Sequence, residues 1–151
     1  GTLQVKLLEA LLNDPFFQNP PPKSSGREHF NLAWLERFID EPYRPQDVQR
    51  TLLELTAKSA VDSFQWLPES PTQLIVCGGG AFNSFLLERI AQCLPDKVTL
   101  ADSAQYGVAP QHVEAMAFAW LGWCFDNNKP ANLPAVTGAS RLATLGKRVN
   151  A

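Results

Sequence analysis

Leu74-Ile75-Val76-Cys77 runs directly into Gly78-Gly79-Gly80, and this junction carries the clearest chemical signal in the chain. Four apolar residues, two of them β-branched, predict a buried strand, and the glycines predict a tight turn. Phe82, Leu86, Ile90, Cys93 and Leu94 then recur at helical spacing. In an open α/β sheet, the turn leaving the carboxyl end of a strand is where ligands sit. Glycines there let the backbone approach a phosphate, and the unpaired N–H groups of the next helix supply the positive end. A compact turn with no ligand has the same pattern, and the Lys-Ser or Lys-Thr pair of a P-loop does not follow the glycines. On this stretch alone both readings stand.

Glu114 is the second chemical candidate. Pro110 opens a helix in which Val113, Met116, Ala117, Trp120, Leu121 and Cys124 form one stripe, while Phe118 and Ala119 fill the opposite side. A helix apolar nearly all round is expected to be buried. Glu114 is the only charge between His112 and Asp126. In the first turn a carboxylate complements the helix dipole, which is the commoner role. The other role is a carboxylate at the mouth of a cleft, aimed at a substrate hydroxyl. Lys23 and Arg27, beside a helix start, read first as solvated flanking charges and second as an anion receptor.

Other chemistries lack support. Cys77, Cys93 and Cys124 are far apart in apolar stretches, without zinc spacing, and their odd number argues against a disulfide framework. They read as buried free thiols of a cytoplasmic protein. His29 and His112 are isolated, so no histidine-based metal or nucleophile site is expected. The net charge of −2 offers no electrostatic reason for a nucleic acid or anionic membrane partner. No apolar run approaches the ~18 residues needed to span a bilayer.

The positioning elements follow from the remaining pattern. A chain of 151 residues suits a single domain spanning 1–151. Charged residues make up only 19%, and with four tryptophans this suits an apolar interface. Leu3, Leu7, Leu8, Leu11 and Leu12 predict a helix over 3–12 with no strong start signal, as though the chain opened inside a larger protein. Asn13-Asp14-Pro15 ends that helix, and Pro20-Pro21-Pro22 follows as a stiff segment. Ser25 and Glu28 have capping-box spacing ahead of Phe30, Trp34, Leu35 and Phe38. Pro45 suits the first position of the longest helix, which runs to Trp66 with Leu53, Ala57, Ala60, Val61 and Phe64 on one stripe. A second short strand is expected at Val98-Thr99-Leu100, opening onto the polar segment Asp102–Gly107. The tail from Lys129 carries turn signals only.

Several stretches together resemble one family, the anhydro-N-acetylmuramic acid kinases of the actin-like ATPase superfamily. They are Leu11-Leu12-Asn13-Asp14-Pro15-Phe16-Phe17, Pro21-Pro22-Lys23-Ser24-Ser25-Gly26-Arg27-Glu28, Phe30-Asn31 and Trp34-Leu35. Val76-Cys77-Gly78-Gly79-Gly80-Ala81-Phe82-Asn83, Gly107-Val108 and the run from Val113 to Leu121 continue the match. Asn132-Leu133-Pro134 and Val136-Thr137-Gly138-Ala139 close it. The motifs occur in family order across nearly the whole chain, and they correspond to the C-terminal part of a family member, less than half of it.

The resemblance implies an α/β, helix-rich part of a ribonuclease-H-like C-terminal domain with a short, mainly parallel sheet. It places Gly78, Gly79, Gly80 and Asn83 on the ATP side and Glu114 on the amino-sugar side. Magnesium would arrive with ATP rather than at a dedicated site. The family reaction opens the anhydro bridge of the sugar and phosphorylates the six-position oxygen, in peptidoglycan recycling. Its general-base aspartate is expected in an N-terminal lobe absent from these residues, since Asp102 matches no catalytic motif. The chain alone is therefore expected to be inactive, with the missing lobe and a second copy as its protein partners. Two alternatives remain: a non-catalytic binding or dimerisation module, and the lobe of another actin-like sugar kinase.

Overall fold

The computed structural model describes residues 1–149. It is α/β and helix-rich, with one short sheet of two parallel strands among the described residues, the class the resemblance implies. The described residues group into two compact units. The first comprises Gly1–Pro20, Ser25–Leu74 and Asn83–Ala101; the second comprises Pro21–Ser24, Ile75–Phe82 and the chain from Asp102 onward.

In the first unit, α1 (Val5–Leu12) starts two residues later than its leucine pattern suggests. The preceding backbone is engaged elsewhere: Thr2 N–H donates to Asp47 Oδ1 (2.6 Å) and Gln4 N–H to Thr51 Oγ1 (3.0 Å). Asn13-Asp14 ends α1 as expected, and Asp14 then caps α2 (Pro15–Gln18) by accepting the Phe16 N–H at 2.9 Å. The other oxygen of Asp14 accepts the indole N–H of Trp34 at 2.9 Å. The expected capping box at Ser25 and Glu28 does not form. Residues 26–29 close a turn instead, with His29 N–H on Gly26 O. Helix α3 (Leu32–Glu36) is capped by Asn31, whose side-chain oxygen accepts the Trp34 N–H at 2.9 Å.

Leu7, Leu8, Leu11, Trp34 and Leu55 form the buried core of this unit. Complete burial of a leucine contributes roughly 1.5–3 kcal/mol, so this cluster is enough to set the packing of α1, α3 and α4 (Pro45–Asp62). Pro45 occupies the first turn of α4 as its residue type predicts. The expected apolar stripe of α4 is only partly the buried one. Ala57 is buried, but Leu53, Ala60, Val61 and Phe64 are only half-buried, while Asp47, Thr51 and Glu54 join Leu55 inside. Each of these three polar side chains is hydrogen-bonded, which is what permits its burial.

Strand β1 (Gln73–Val76) pairs with β2 (Thr99–Asp102), with Thr99 N–H on Thr72 O at 3.0 Å just ahead of β1. Between them stands α5 (Ser84–Cys93), in which Ile90 alone is fully buried. The expectation of a buried first strand is not met: Ile75 is 46% exposed and Leu74 and Val76 are half-buried. The faces of a parallel sheet are covered by packed helices, and among the described residues Ile75 lacks such cover.

In the second unit, α6 (Val113–Asp126) corrects another expectation. It is apolar nearly all round, yet only Cys124 is buried, and Met116, Phe118, Trp120 and Trp123 are exposed. The expected burial is not met, because among the described residues no element packs over these side chains. Helix α7 (Pro134–Thr137) ends at Gly138 in the left-handed conformation. The three cysteines are free thiols as expected, but only Cys124 is buried; Cys93 is half-buried and Cys77 exposed.

Candidate functional site

The glycine turn is built by its own backbone. Gly78 has φ of +71°, a region costly for any side-chain-bearing residue, and its carbonyl accepts the Ala81 N–H at 3.1 Å. Residues Gly79–Phe82 complete a single 3₁₀ turn. A β-carbon added at Gly78 or Gly79 would meet no atom within 4 Å, so these glycines border open space rather than packed protein.

The Gly78 N–H donates to Pro110 O at 2.9 Å. Pro110 is buried at the start of the turn Pro110–His112, which runs straight into α6. Glu114 lies in the first turn of α6 and is exposed. One main-chain hydrogen bond thus ties the glycine turn to the helix start bearing Glu114. Gly80 is half-buried within the turn. Asn83 has a defined local role: it caps α5, its side-chain oxygen accepting the Leu86 N–H at 3.0 Å.

Asp102 is likewise occupied locally, accepting the N–H groups of Ala104 and Gln105 at 3.0 and 3.3 Å. Beside it, Ser103 Oγ is buried without a hydrogen-bond partner and lines a cavity of about 220 Å³ with Ile75, Tyr106, Val113 and Met116. In the first unit a second cavity, about 450 Å³, is lined by Gln46, Gln49, Arg50, Asn83, Phe85 and Leu86 among others.

A charged cluster flanks that second cavity. Glu54 on α4 is 4% exposed and accepts from Arg50 Nη1 (2.9 Å), Arg89 Nε (2.8 Å) and Arg89 Nη2 (2.9 Å). The Arg89 hydrogen bonds, opposed by burial and helped by Arg50, hold the Glu54 carboxyl below the usual range. Arg44 and the Thr2 N–H do the same for Asp47. Burial pushes the Asp14 carboxyl up, but the Trp34 indole, the Phe16 N–H, His29 and Arg37 outweigh it and leave it lowered.

The family model described as anhydro-N-acetylmuramic acid kinase matches residues 1–151. The chain belongs to that family. It is 52% identical over 150 residues to the anhydro-N-acetylmuramic acid kinase of Idiomarina loihiensis, covering 99% of this chain and 40% of the relative. The Saccharophagus degradans kinase is 52% identical over 149 residues and that of Pseudomonas putida 51% over 148, each covering 97% of this chain and 40% of the relative. The chain thus spans about 40% of the length of the curated relatives it matches.

In this anhydro-N-acetylmuramic acid kinase family member, Arg50, Glu54, Arg89 and Ser103 carry no motif that marks them in the sequence. Arg50 and Glu54 stand four apart and show in the sequence as an ordinary surface helix pair. Arg89 lies 35 residues from Glu54, and no local pattern joins them. Among the described residues, no group of three or more His, Cys, Asp or Glu side chains is placed to hold a metal ion, and no helix is long and apolar enough to cross a membrane.

Proposed function

We propose that this chain is the nucleotide- and sugar-facing part of a cytoplasmic ATP-dependent kinase that opens the anhydro bridge of anhydro-N-acetylmuramic acid and phosphorylates its six-position oxygen. The observation carrying this reading is the Gly78 N–H to Pro110 O bond, which keeps an open glycine turn beside the helix start bearing Glu114. The unfilled space at Gly78 and Gly79 suits close approach by a phosphate-bearing ligand. Gly78, Gly79, Gly80 and Asn83 take the ATP side, and Glu114 accepts a hydrogen bond from a sugar hydroxyl. ATP, carrying magnesium on its phosphates, supplies the phosphoryl group.

The work of these residues is positioning, the main protein contribution to phosphoryl transfer. The general-base aspartate and the opposing wall of the cleft would come from sequence outside these residues, with 1–151 serving as one ribonuclease-H-like lobe of an actin-like kinase that pairs as a homodimer. The chain alone, given ATP, magnesium and the anhydro sugar, yields no sugar phosphate, whereas the kinase containing it does. In that kinase Glu114→Gln raises the KM for the sugar roughly tenfold or more, the loss of a hydrogen bond to a charged group. Turnover by the chain alone, or an unchanged KM, overturns the reading.

A second reading, a non-catalytic dimerisation module, is favoured by the exposed Phe118, Trp120 and Trp123 of α6. It requires a stable dimer and no ATP-dependent change in any resonance of the glycine turn.

A further inference from the structure

We propose that Arg50, Glu54 and Arg89 are positioning residues that set the direction of α5 and hence of Asn83, which caps it; this rests on the reading of Asn83 as ATP-facing. Three observations converge. First, α5 packs along α4 through mostly half-buried apolar residues, Leu86, Leu87 and Cys93, with Ile90 alone fully buried, so polar contacts between the two helices add to its orientation. Second, α4 grips α5 on two successive turns. Arg89 makes a two-bond fork with Glu54, and the Arg50 guanidinium stands 4.9 Å from the ring centroid of Phe85 in the first turn of α5. Third, Arg50, Asn83 and Phe85 line the same 450 Å³ cavity, so the grip lies on the wall that Asn83 shares.

The chemistry chosen for this contact also points to orientation. A paired guanidinium and carboxylate fix direction as well as distance, because the planar fork matches both oxygens at once. Buried ion pairs add little net stability compared with well-packed apolar residues. A leucine pair would hold the two helices together with a looser constraint on direction than a two-bond fork.

The test is amide hydrogen exchange of the kinase containing residues 1–151, read residue by residue, with ATP titrated in. Glu54→Gln keeps the shape of the side chain and removes its charge. It is expected to speed exchange in the first turns of α5 roughly tenfold or more over α1, the loss of charged hydrogen bonds, and to weaken ATP binding by a similar factor. Arg89→Lys keeps the charge without the fork and is expected to show a smaller effect of the same kind. Unchanged α5 exchange in a folded Glu54→Gln kinase overturns the proposal. So does faster exchange with unchanged ATP affinity, which would make the cluster structural only. If the unsubstituted kinase shows no ATP-dependent protection at Asn83 and the first turn of α5, the ATP-facing reading fails and takes the proposal with it, whatever the variants show. Global unfolding of Arg89→Lys as well as Glu54→Gln would reduce the cluster to a folding element and overturn its positioning role.

Discussion

Trp34 and Trp120 are the same residue type in two units that treat it oppositely. Trp34 is 6% exposed, packed among Phe30 and Phe38 with its indole N–H on a buried Asp14, whereas Trp120 is 52% exposed on α6. The first unit buries leucines, a tryptophan and three satisfied carboxylates. The second has Cys124 as its buried apolar side chain on α6 and leaves the large ones in solvent. The lesson is that apolar content does not by itself make a core. The first unit closes on itself, and the second presents surface that suits cover by something beyond these residues.

Core truncation separates the two units most sharply. Trp34→Ala or Leu11→Ala is expected to destabilise the first unit by about 3–5 and 2–5 kcal/mol respectively, measured by urea unfolding. A loss below 1 kcal/mol would mean this cluster does not carry the unit. Acid is the next largest effect. The lowered carboxyls of Glu54, Asp47 and Asp14 all lie in the first unit. Their stabilisation is fully present above the ordinary values of 4.5 for Glu and 3.8 for Asp. It is lost as pH falls through the lowered folded-state values. NMR signals of α1 and α3 should therefore broaden or vanish as pH falls below these values while remaining constant above them; a loss beginning near neutral pH would contradict this sign.

Gly78→Ala is expected to cost about 1–2 kcal/mol, since its positive φ disfavours a side chain even where space is open. Gly79→Ala, with equal space and no positive φ, should cost less than about 0.5 kcal/mol. Equal costs at the two positions would show that space rather than backbone conformation governs the turn. Trp120→Ser should change stability least, by under about 0.5 kcal/mol, while lowering self-association in sedimentation velocity. A large stability loss there would mean that α6 is packed after all.

Much of this was readable from local pattern. The glycine turn, the Pro45 helix start and the stop at Asn13-Asp14 depend on residues adjacent in sequence, whose backbone preferences act over one turn. The capping box failed because Asn31, a capping residue of equal strength, stands closer to the helix that forms. The α4 stripe differs from its local pattern because burial of Asp47, Thr51 and Glu54 requires partners from other elements: the Thr2 and Gln4 N–H groups and Arg89.

Sequence by itself determined the helix-rich α/β class, the turn at Gly78-Gly79-Gly80 and the single carboxylate opening α6, because each is set by interactions within a few residues. Only the tertiary structure decided that Gly78 is tied to Pro110, that Glu54 holds Arg89 across 35 residues, and that α6 lies open. Those outcomes depend on which distant groups meet, and a distant partner leaves no periodicity in the local chain.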